Sequence, residues 1–385
     1  MKRPWSSQRF RQGALVEGRP LPVIAAAEAV AASVKQANAD LPVVLTLHHL
    51  AHLAGVTIEP LQAVIFRQVD PYRVFRVKKR GAPGATSAPP RKYRTICVPQ
   101  PAIMRVQRWI AQNILNEVEP HPASFAFAPG RDLVDAAWRH TEAKWLLKMD
   151  VRHFFESISE RRVYWVFRRL GYTALLSFQM ARLCTRLAVH RQQDDRFRMG
   201  RGDSALPYRR HKQGHLPQGA PTSPMLANLV MAPFDRRVQE LAQSGGWTYT
   251  RYADDLAFSR RDASTRGLAL DLSRRIQGEL VSFGLVHHRE KTSIAPPGAR
   301  KLLLGVLIDS PKPTLTREFR NNVETHLFAL SSPNVGVEAH RLKRGFASSI
   351  GMRRHIEGLI AFAHQVDHAY AAKLYARFNL IDWTS

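Results

Sequence analysis

The stretch that most constrains this chain is Trp247-Thr-Tyr-Thr-Arg-Tyr-Ala-Asp-Asp-Leu-Ala-Phe-Ser259, in which two adjacent carboxylates, Asp254 and Asp255, interrupt a run of aromatic, Thr and aliphatic residues. Such flanks favour paired strands, so the Asp pair belongs at a tight turn between two of them. Like charges on neighbouring residues repel, and a partly enclosed turn strips hydration from both. The arrangement is unfavourable unless cations lie against it, and a divalent metal is the obvious cation. For the dipeptide alone, a solvated turn is the simpler reading. The metal assignment therefore depends on what else the chain supplies.

It supplies a third acid. Trp145-Leu-Leu-Lys-Met-Asp150-Val151 reads as a buried strand ending in a carboxylate. Ser159 is a plausible N-cap for a following helix whose apolar stripe is Val163, Val166, Phe167 and Leu170. A strand that delivers one Asp and a hairpin that delivers two more gather three carboxylates on one sheet. Three converging acids can hold two Mg²⁺ ions about 3.5 to 4 Å apart, one activating a hydroxyl nucleophile and one stabilising a leaving pyrophosphate. That is the arrangement of nucleotidyl transfer.

Charge points to the same class of chemistry. The chain carries 57 Lys+Arg against 31 Asp+Glu, a formal net charge of +26, spread along its length rather than confined to a tail. Such an excess calls for a polyanionic partner, most often nucleic acid. No lipidation motif or long apolar stretch supports a membrane. The 385 residues, 45% hydrophobic, can bury a substantial core. Cys97 and Cys184 stand far apart without a Cys-x-x-Cys or Cys/His cluster, so disulfides and zinc are not expected and a reducing compartment fits. The N-terminus lacks an apolar core of signal-peptide length before Arg9 and Arg11, so export is not expected.

Along the chain, Val23 to Ala39 and Leu45 to Phe66 read as helices of an N-terminal extension. Tyr72 to Arg80 and Arg91 to Val98 read as two alternating strands around a Gly/Pro/Ser-rich basic turn. Pro101 to Val118 carries Ile103, Val106, Ile110 and Ile114 at helical spacing, with Arg105, Gln107 and Arg108 outside that stripe. Near the C-terminus Ile356, Leu359 and Ile360, then Tyr370, Leu374 and Phe378, recur at helical spacing. His287 and His288 lack metal-ligand spacing and read as surface residues.

His215-Leu-Pro-Gln-Gly-Ala-Pro-Thr-Ser-Pro-Met-Leu-Ala-Asn228 and Thr250-Arg-Tyr-Ala-Asp-Asp-Leu-Ala-Phe-Ser259 resemble the adjacent signature motifs of reverse transcriptases, especially the bacterial retron-type enzymes. The order also matches: basic strands, the Asp150 strand, the Leu-Pro-Gln-Gly loop, the Asp-Asp hairpin, then Glu290-Lys291-Thr292 and Leu303-Leu304-Gly305. The resemblance runs from about Leu45 to the C-terminus. It implies an α/β right hand: an N-terminal helical extension over 1–70, fingers over 71–145, an antiparallel-sheet palm over 146–308 with a fingers-side insertion near 160–213, and a helical thumb over 309–385. The implied activity is RNA-directed DNA synthesis from dNTPs with two Mg²⁺ ions, in the bacterial cytoplasm. A structured noncoding RNA serves as template and primer, its RNA-linked DNA is the product, and a separate effector protein in phage defence is a further partner.

The resemblance also implies roles residue by residue. Asp150, Asp254 and Asp255 match the family's metal-binding acids, joined by the Val151 carbonyl. Phe155 matches a steric gate whose ring leaves no room for a ribose 2′-hydroxyl; of the neighbours Phe154 and Phe155, one also reads as a core residue. Gln218 and Gly219 match the loop beneath the incoming nucleotide, where Gly permits close backbone approach. Lys79 and Arg94 match the cations that clamp the triphosphate, with Lys78, Arg80, Arg91 and Lys92 as neighbouring alternatives. Lys291 matches a proton donor to the leaving phosphate. Arg341, Lys343, Arg344, Arg353 and Arg354 form the cationic flank of the thumb, suited to RNA-containing duplexes.

Two segments depart from the retron pattern. Ala136-Ala137-Trp138-Arg139-His140 lacks the Asn of an Asn-Ala-x-x-His signature, and Leu303-Leu304-Gly305 replaces Val-Thr-Gly. A defence-associated enzyme with another priming mode, or a silent RNA-binding scaffold, are the alternatives these departures leave open. Phe155 argues against an RNA-making polymerase.

Overall fold

A computed structural model describes residues 5–78, 93–187, 213–262, 265–332 and 334–383. The N-terminal extension is helical: α1 (Ser7–Val16), α2 (Leu21–Ala37), α3 (Leu47–Ala54) and α4 (Glu59–Ile65). Strands β1 (Tyr72–Lys78) and β2 (Tyr93–Pro99) pair antiparallel, as their alternation predicts; the basic turn between them lies outside the described residues. Next come α5 (Pro101–Asn113), α6 (Leu133–Trp138), β3 (Trp145–Asp150), α7 (Glu160–Arg169) and α8 (Ala174–Cys184). Then follow α9 (Ser223–Ser244), β4 (Thr248–Tyr252), β5 (Asp255–Arg260), α10 (Arg266–Ser282) and β6 (Ser293–Ala295). A small three-stranded sheet, β7 (Leu302–Leu303), β8 (Val306–Leu307) and β9 (Thr314–Leu315), leads into α11 (Arg317–Ser331), α12 (Gly336–Arg344), α13 (Ser349–Val366) and α14 (His368–Phe378). No described helix is long and apolar enough to cross a membrane.

The central sheet, in the order β4-β5-β3-β6, is antiparallel throughout and has two different faces. Side chains alternate across a strand. Trp145, Leu147 and Met149 of β3 and Leu256 and Phe258 of β5 therefore share one face, which is buried in the main core with α9 and α10. Leu146 and Ala257 lie on the other, under Leu303, Val306 and Ile308 of the small sheet and its flank. Farther along that second face come Lys148 and then Asp150 opposite Asp255. The C-terminal helices have their own core, built from Phe319, Val323, Leu327, Met352, Ile356, Ile360, Leu374 and Phe378.

Two buried polar arrangements brace the sheet. His140, the last residue of the altered signature, is wholly buried; its Nδ1 lies 2.7 Å from Ser259 Oγ on β5 and its Nε2 2.7 Å from Thr250 Oγ1 on β4. On the core face, Arg251 and Asp235 form an ion pair with no exposed side-chain surface. Arg251 donates from Nε to Asp235 Oδ1 (2.8 Å) and from Nη2 to Oδ2 (2.7 Å). Its remaining donors reach Asn228 Oδ1, Ser124 Oγ and the carbonyl of Ala253. The Tyr249 hydroxyl also donates to Asp235.

Gln107 departs from the sequence reading. It is fully buried, and its Nε2 donates to Tyr72 Oη (2.8 Å) and to the Leu183 carbonyl (2.7 Å). A satisfied amide can replace an apolar side chain in a core, so the buried face of α5 is wider than its aliphatic stripe.

The two braces generate predictions. Removing one partner of a buried ion pair leaves the other charge uncompensated, at about 3–5 kcal/mol. Asp235→Ala therefore loses about that much stability in chemical denaturation, and Asp235→Asn less; a loss under about 1 kcal/mol for Asp235→Ala would refute the bracing role. For His140, burial and then the Arg261 charge push the pKa from 6.5 down to about 3, so the folded ring stays neutral. Below pH 6.5 the unfolded chain takes up a proton that the fold excludes, so stability falls by about 1.4 kcal/mol per pH unit. His140→Gln lacks this titration, so the stability gap between parent and variant shrinks as pH drops from about 7 to about 5. A gap that stays constant over that range would contradict it.

Candidate active site

The acids meet because of strand register. Asp150, the last residue of β3, is paired directly with Asp255, the first of β5. Opposed Cα atoms in such a ladder lie about 4.5–5.5 Å apart. Asp254 belongs to the two-residue turn between Tyr252 and Asp255, and its carbonyl accepts from the Val151 amide at 3.0 Å, fastening the turn to the end of β3. Ala253 precedes it with φ +55°, a left-handed conformation that costs about 1–2 kcal/mol outside glycine. The turn is held in this shape by Arg251, which donates to the Ala253 carbonyl from beneath.

Directly opposed like charges destabilise a sheet, and the electrostatics here show it. Burial, then the Asp150 charge, pushes the Asp254 carboxyl above its usual range, with Lys291 and Arg94 pulling the other way. Burial, Asp254 and Asp150 together push Asp255 up to about 6. Lys291 Nζ lies 2.5 Å from Asp150 Oδ2, a protein cation drawn into the acidic cluster. Among the described residues no three His, Cys, Asp or Glu side chains stand preassembled as a metal cage. The donor set nevertheless suits a hard divalent cation: carboxylate and carbonyl oxygens, mutually repelling, with Asp150 buried and Asp254 and Asp255 reaching the surface of an open sheet face. Asp150, Asp254, Asp255 and the Val151 carbonyl are the groups that would hold it.

The structure also places several of the other residues singled out from the sequence. Phe154 is the core member of the aromatic pair at 4% exposure, whereas Phe155 is half-buried and meets it edge-on, with ring centroids 5.4 Å apart. The Leu-Pro-Gln-Gly loop lies between two neighbours. The Leu216 amide donates to the Ile158 carbonyl just beyond Phe155, and the Gln218 carbonyl accepts from the Cys97 amide of β2 at 2.7 Å. Gly219 has φ +108°, and a Cβ there would come within 2.8 Å of Ile96 Cγ2. Glycine is thus required by contact with β2, a reason the motif alone did not supply. Arg94 is exposed on β2, near enough to Asp254 to lower its pKa. Lys79 lies outside the described residues, as do Arg80, Arg91 and Lys92.

The sequence reading of His287 and His288 as surface residues is overturned. His287 bridges Val151, and the His288 amide donates to the Asp150 carbonyl at 2.7 Å, so both are half-buried against the end of β3. Backbone pairing, invisible to ligand spacing, puts them there. Asp235 and Arg251 were also not singled out, although Arg251 sits inside the hairpin motif; an Arg in a strand whose alternate residues are apolar was the available signal.

In the C-terminal helices the cations divide into two sets. Arg341 is bound to Glu338 (2.5 Å) and to the Phe346 carbonyl (2.7 Å), and Arg353 lies 3.3 Å from Glu357. Lys343, Arg344 and Arg354 are exposed.

Residues 77–308 match the reverse transcriptase (RNA-dependent DNA polymerase) family. The retron Ec86 reverse transcriptase of Escherichia coli is 29% identical over 330 residues, covering 86% of this chain and 87% of that protein. The retron Mx162 reverse transcriptase of Myxococcus xanthus is 27% identical over 354 residues, covering 87% of this chain and 67% of that protein. A telomerase from Candida albicans, solved with a fragment of telomeric RNA, aligns over 81% of this chain and 56% of its own at 12% identity and a TM-score of 0.38, too distant to bear on the site. With its antiparallel sheet, its helices and the family match over residues 77–308, the chain belongs to the reverse transcriptase family, with a right-hand polymerase fold and RNA-directed DNA polymerase activity of the retron type.

Proposed function

We propose that the chain copies a structured noncoding RNA into DNA that stays linked to that RNA, and that Asp150, Asp254 and Asp255 with the Val151 carbonyl hold two Mg²⁺ ions for the purpose. The supporting observation is the β3–β5 register, which opposes Asp150 to Asp255 and ties the Asp254 turn to Val151. When bound, the ions activate the attacking hydroxyl and neutralise the leaving pyrophosphate. Every other function falls to side chains of the chain. Arg94, with Lys79, holds the triphosphate from the fingers strands; Gln218 and Gly219 form the floor beneath the nucleotide; Phe155 excludes a 2′-hydroxyl.

Lys291 has a double part in this reading. Paired with Asp150, it partly balances the acids; in the same reading its ammonium would serve as the proton donor to the leaving phosphate. The four-part division into extension, fingers, palm and thumb belongs to the same proposal, with Lys343, Arg344 and Arg354 as the exposed phosphate contacts of the thumb and Arg341 and Arg353 as secondary ones. The likeness to retron reverse transcriptases supports a noncoding RNA as the template partner. That this RNA also primes, that the DNA stays linked to it, and that a separate effector protein couples the product to phage defence are further parts of the same proposal.

Two variants test the reading. Asp254→Ala with Asp255→Ala abolishes DNA synthesis while RNA retention on a filter is kept; undiminished synthesis would remove the metal assignment. Phe155→Ala incorporates ribonucleotides that the parent rejects, and a discrimination ratio equal to the parent's would remove the gate.

A further inference from the structure

The loop before α6 carries a phenylalanine that the fold itself does not need. Phe127 has φ +59°, a left-handed conformation that costs an aromatic residue about 1–2 kcal/mol, and its side chain is 50% exposed. A glycine or asparagine would suit that backbone better. Half-exposed, the ring returns only part of the burial free energy a core phenylalanine would give. Strain retained without burial points to use of the ring.

The backbone on either side of Phe127 is held firmly. The Ala123 carbonyl accepts from the Arg251 amide at 2.7 Å, and the Phe125 amide donates to the Arg251 carbonyl at 2.9 Å, so the loop lies alongside β4. Asn228 Nδ2 donates to the Ala126 carbonyl at 2.7 Å, immediately before the strained residue. Arg131 Nη1 ties down the Ser124 carbonyl at 2.9 Å. The strain is therefore imposed by a rigid frame built on the same Arg251 that orients the Asp-Asp turn.

The frame aims Phe127 at Phe155. Their ring centroids are 6.4 Å apart at 51°, within the range of an aromatic pair, while Phe154 meets Phe155 edge-on at 5.4 Å. Phe155 thus touches both a core ring and a half-exposed one. We propose that Phe127 is a specificity-determining positioning residue: its ring fixes Phe155 in the orientation that closes the sugar slot, so that deoxyribonucleoside triphosphates are taken and ribonucleoside triphosphates refused. The inference rests on the assignment of Phe155 as the gate and adds a second residue that acts through it.

The test is single-nucleotide addition by the full-length protein on an RNA template, comparing each dNTP with the corresponding rNTP. Phe127→Gly removes the ring while suiting the left-handed backbone, so it folds as the parent does, checked by melting temperature. Both Phe127→Gly and Phe127→Ala narrow the dNTP-over-rNTP preference about 10-fold through a rise in rNTP kcat/KM. Phe127→Tyr restores the preference, and Phe127→Gly with Phe155→Ala is no more permissive than Phe155→Ala alone, because the two act as one unit. If Phe155→Ala admits ribonucleotides and Phe127→Gly does not, the inference is overturned and the gate stands. If Phe155→Ala changes nothing, the gate itself falls and this inference with it. Equal losses of dNTP and rNTP use in the Phe127 variants would show a merely structural ring and also overturn it.

Discussion

The buried Arg251–Asp235 pair is the interaction on which the site's geometry depends. A guanidinium brings five donors into a core, and each must be met or the burial is ruinous. Here they are met by Asp235 on α9, Asn228 two turns earlier on the same helix, Ser124 on the loop beside β4, and the Ala253 carbonyl in the hairpin turn. A helix, a loop and a turn are thereby referred to one planar group. An apolar replacement of the same volume could pack as well and would satisfy none of these directions. The gain is therefore in orientation more than in stability: the turn that presents Asp254, and the loop that presents Phe127, cannot shift independently.

On the opposite face of the same sheet the arrangement runs against stability. Asp150 and Asp255 are placed where cross-strand pairing is worst for like charges, and Asp254 adds a third. A fold selected only for stability would separate them or neutralise them. Lys291 partly offsets the repulsion, yet its side chain is half-exposed and its partner is almost fully buried, so the pair is an asymmetric one that a stronger cation can displace. The chain thus keeps an unfavourable local electrostatics, which a cation that binds oxygen more strongly than an ammonium does would relieve.

Local signals announce the sheet. Aromatic and Thr flanks around Asp254 and Asp255, and the apolar run into Asp150, are period and propensity effects, and β3, β4 and β5 follow them. The inner face of the C-terminal helices is legible for the same reason: Ile356, Ile360, Leu374 and Phe378 recur at helical spacing and are all buried. What stayed hidden depends on distant pairing. Gln107 looks solvent-facing until Tyr72 and Leu183 close over it, His288 looks superficial until its amide meets Asp150, and Gly219 looks ligand-directed until Ile96 is seen 2.8 Å from its missing Cβ. Polar residues satisfied across long sequence separations carry no local period.

The charge distribution bears on how a nucleic acid would be held. An excess of 26 positive charges could act through a few dedicated contacts or through a diffuse field. In the C-terminal helices, Arg341 and Arg353 are already engaged by Glu338 and Glu357, each on its own helix. Exposed pairs of this kind are worth little, about 0–1 kcal/mol, so a phosphate can exchange for the carboxylate at small cost. Their carboxylates nonetheless keep the arginines extended along the helix surface rather than free to fold onto any anion. In the proposed thumb role, Lys343, Arg344 and Arg354 would supply the long-range attraction, and the self-paired arginines the geometry once the backbone of a duplex is close. Affinity built this way is mostly counterion release and falls steeply with salt, whereas the choice of what is copied rests with the pairing of bases and with the shape of the cleft.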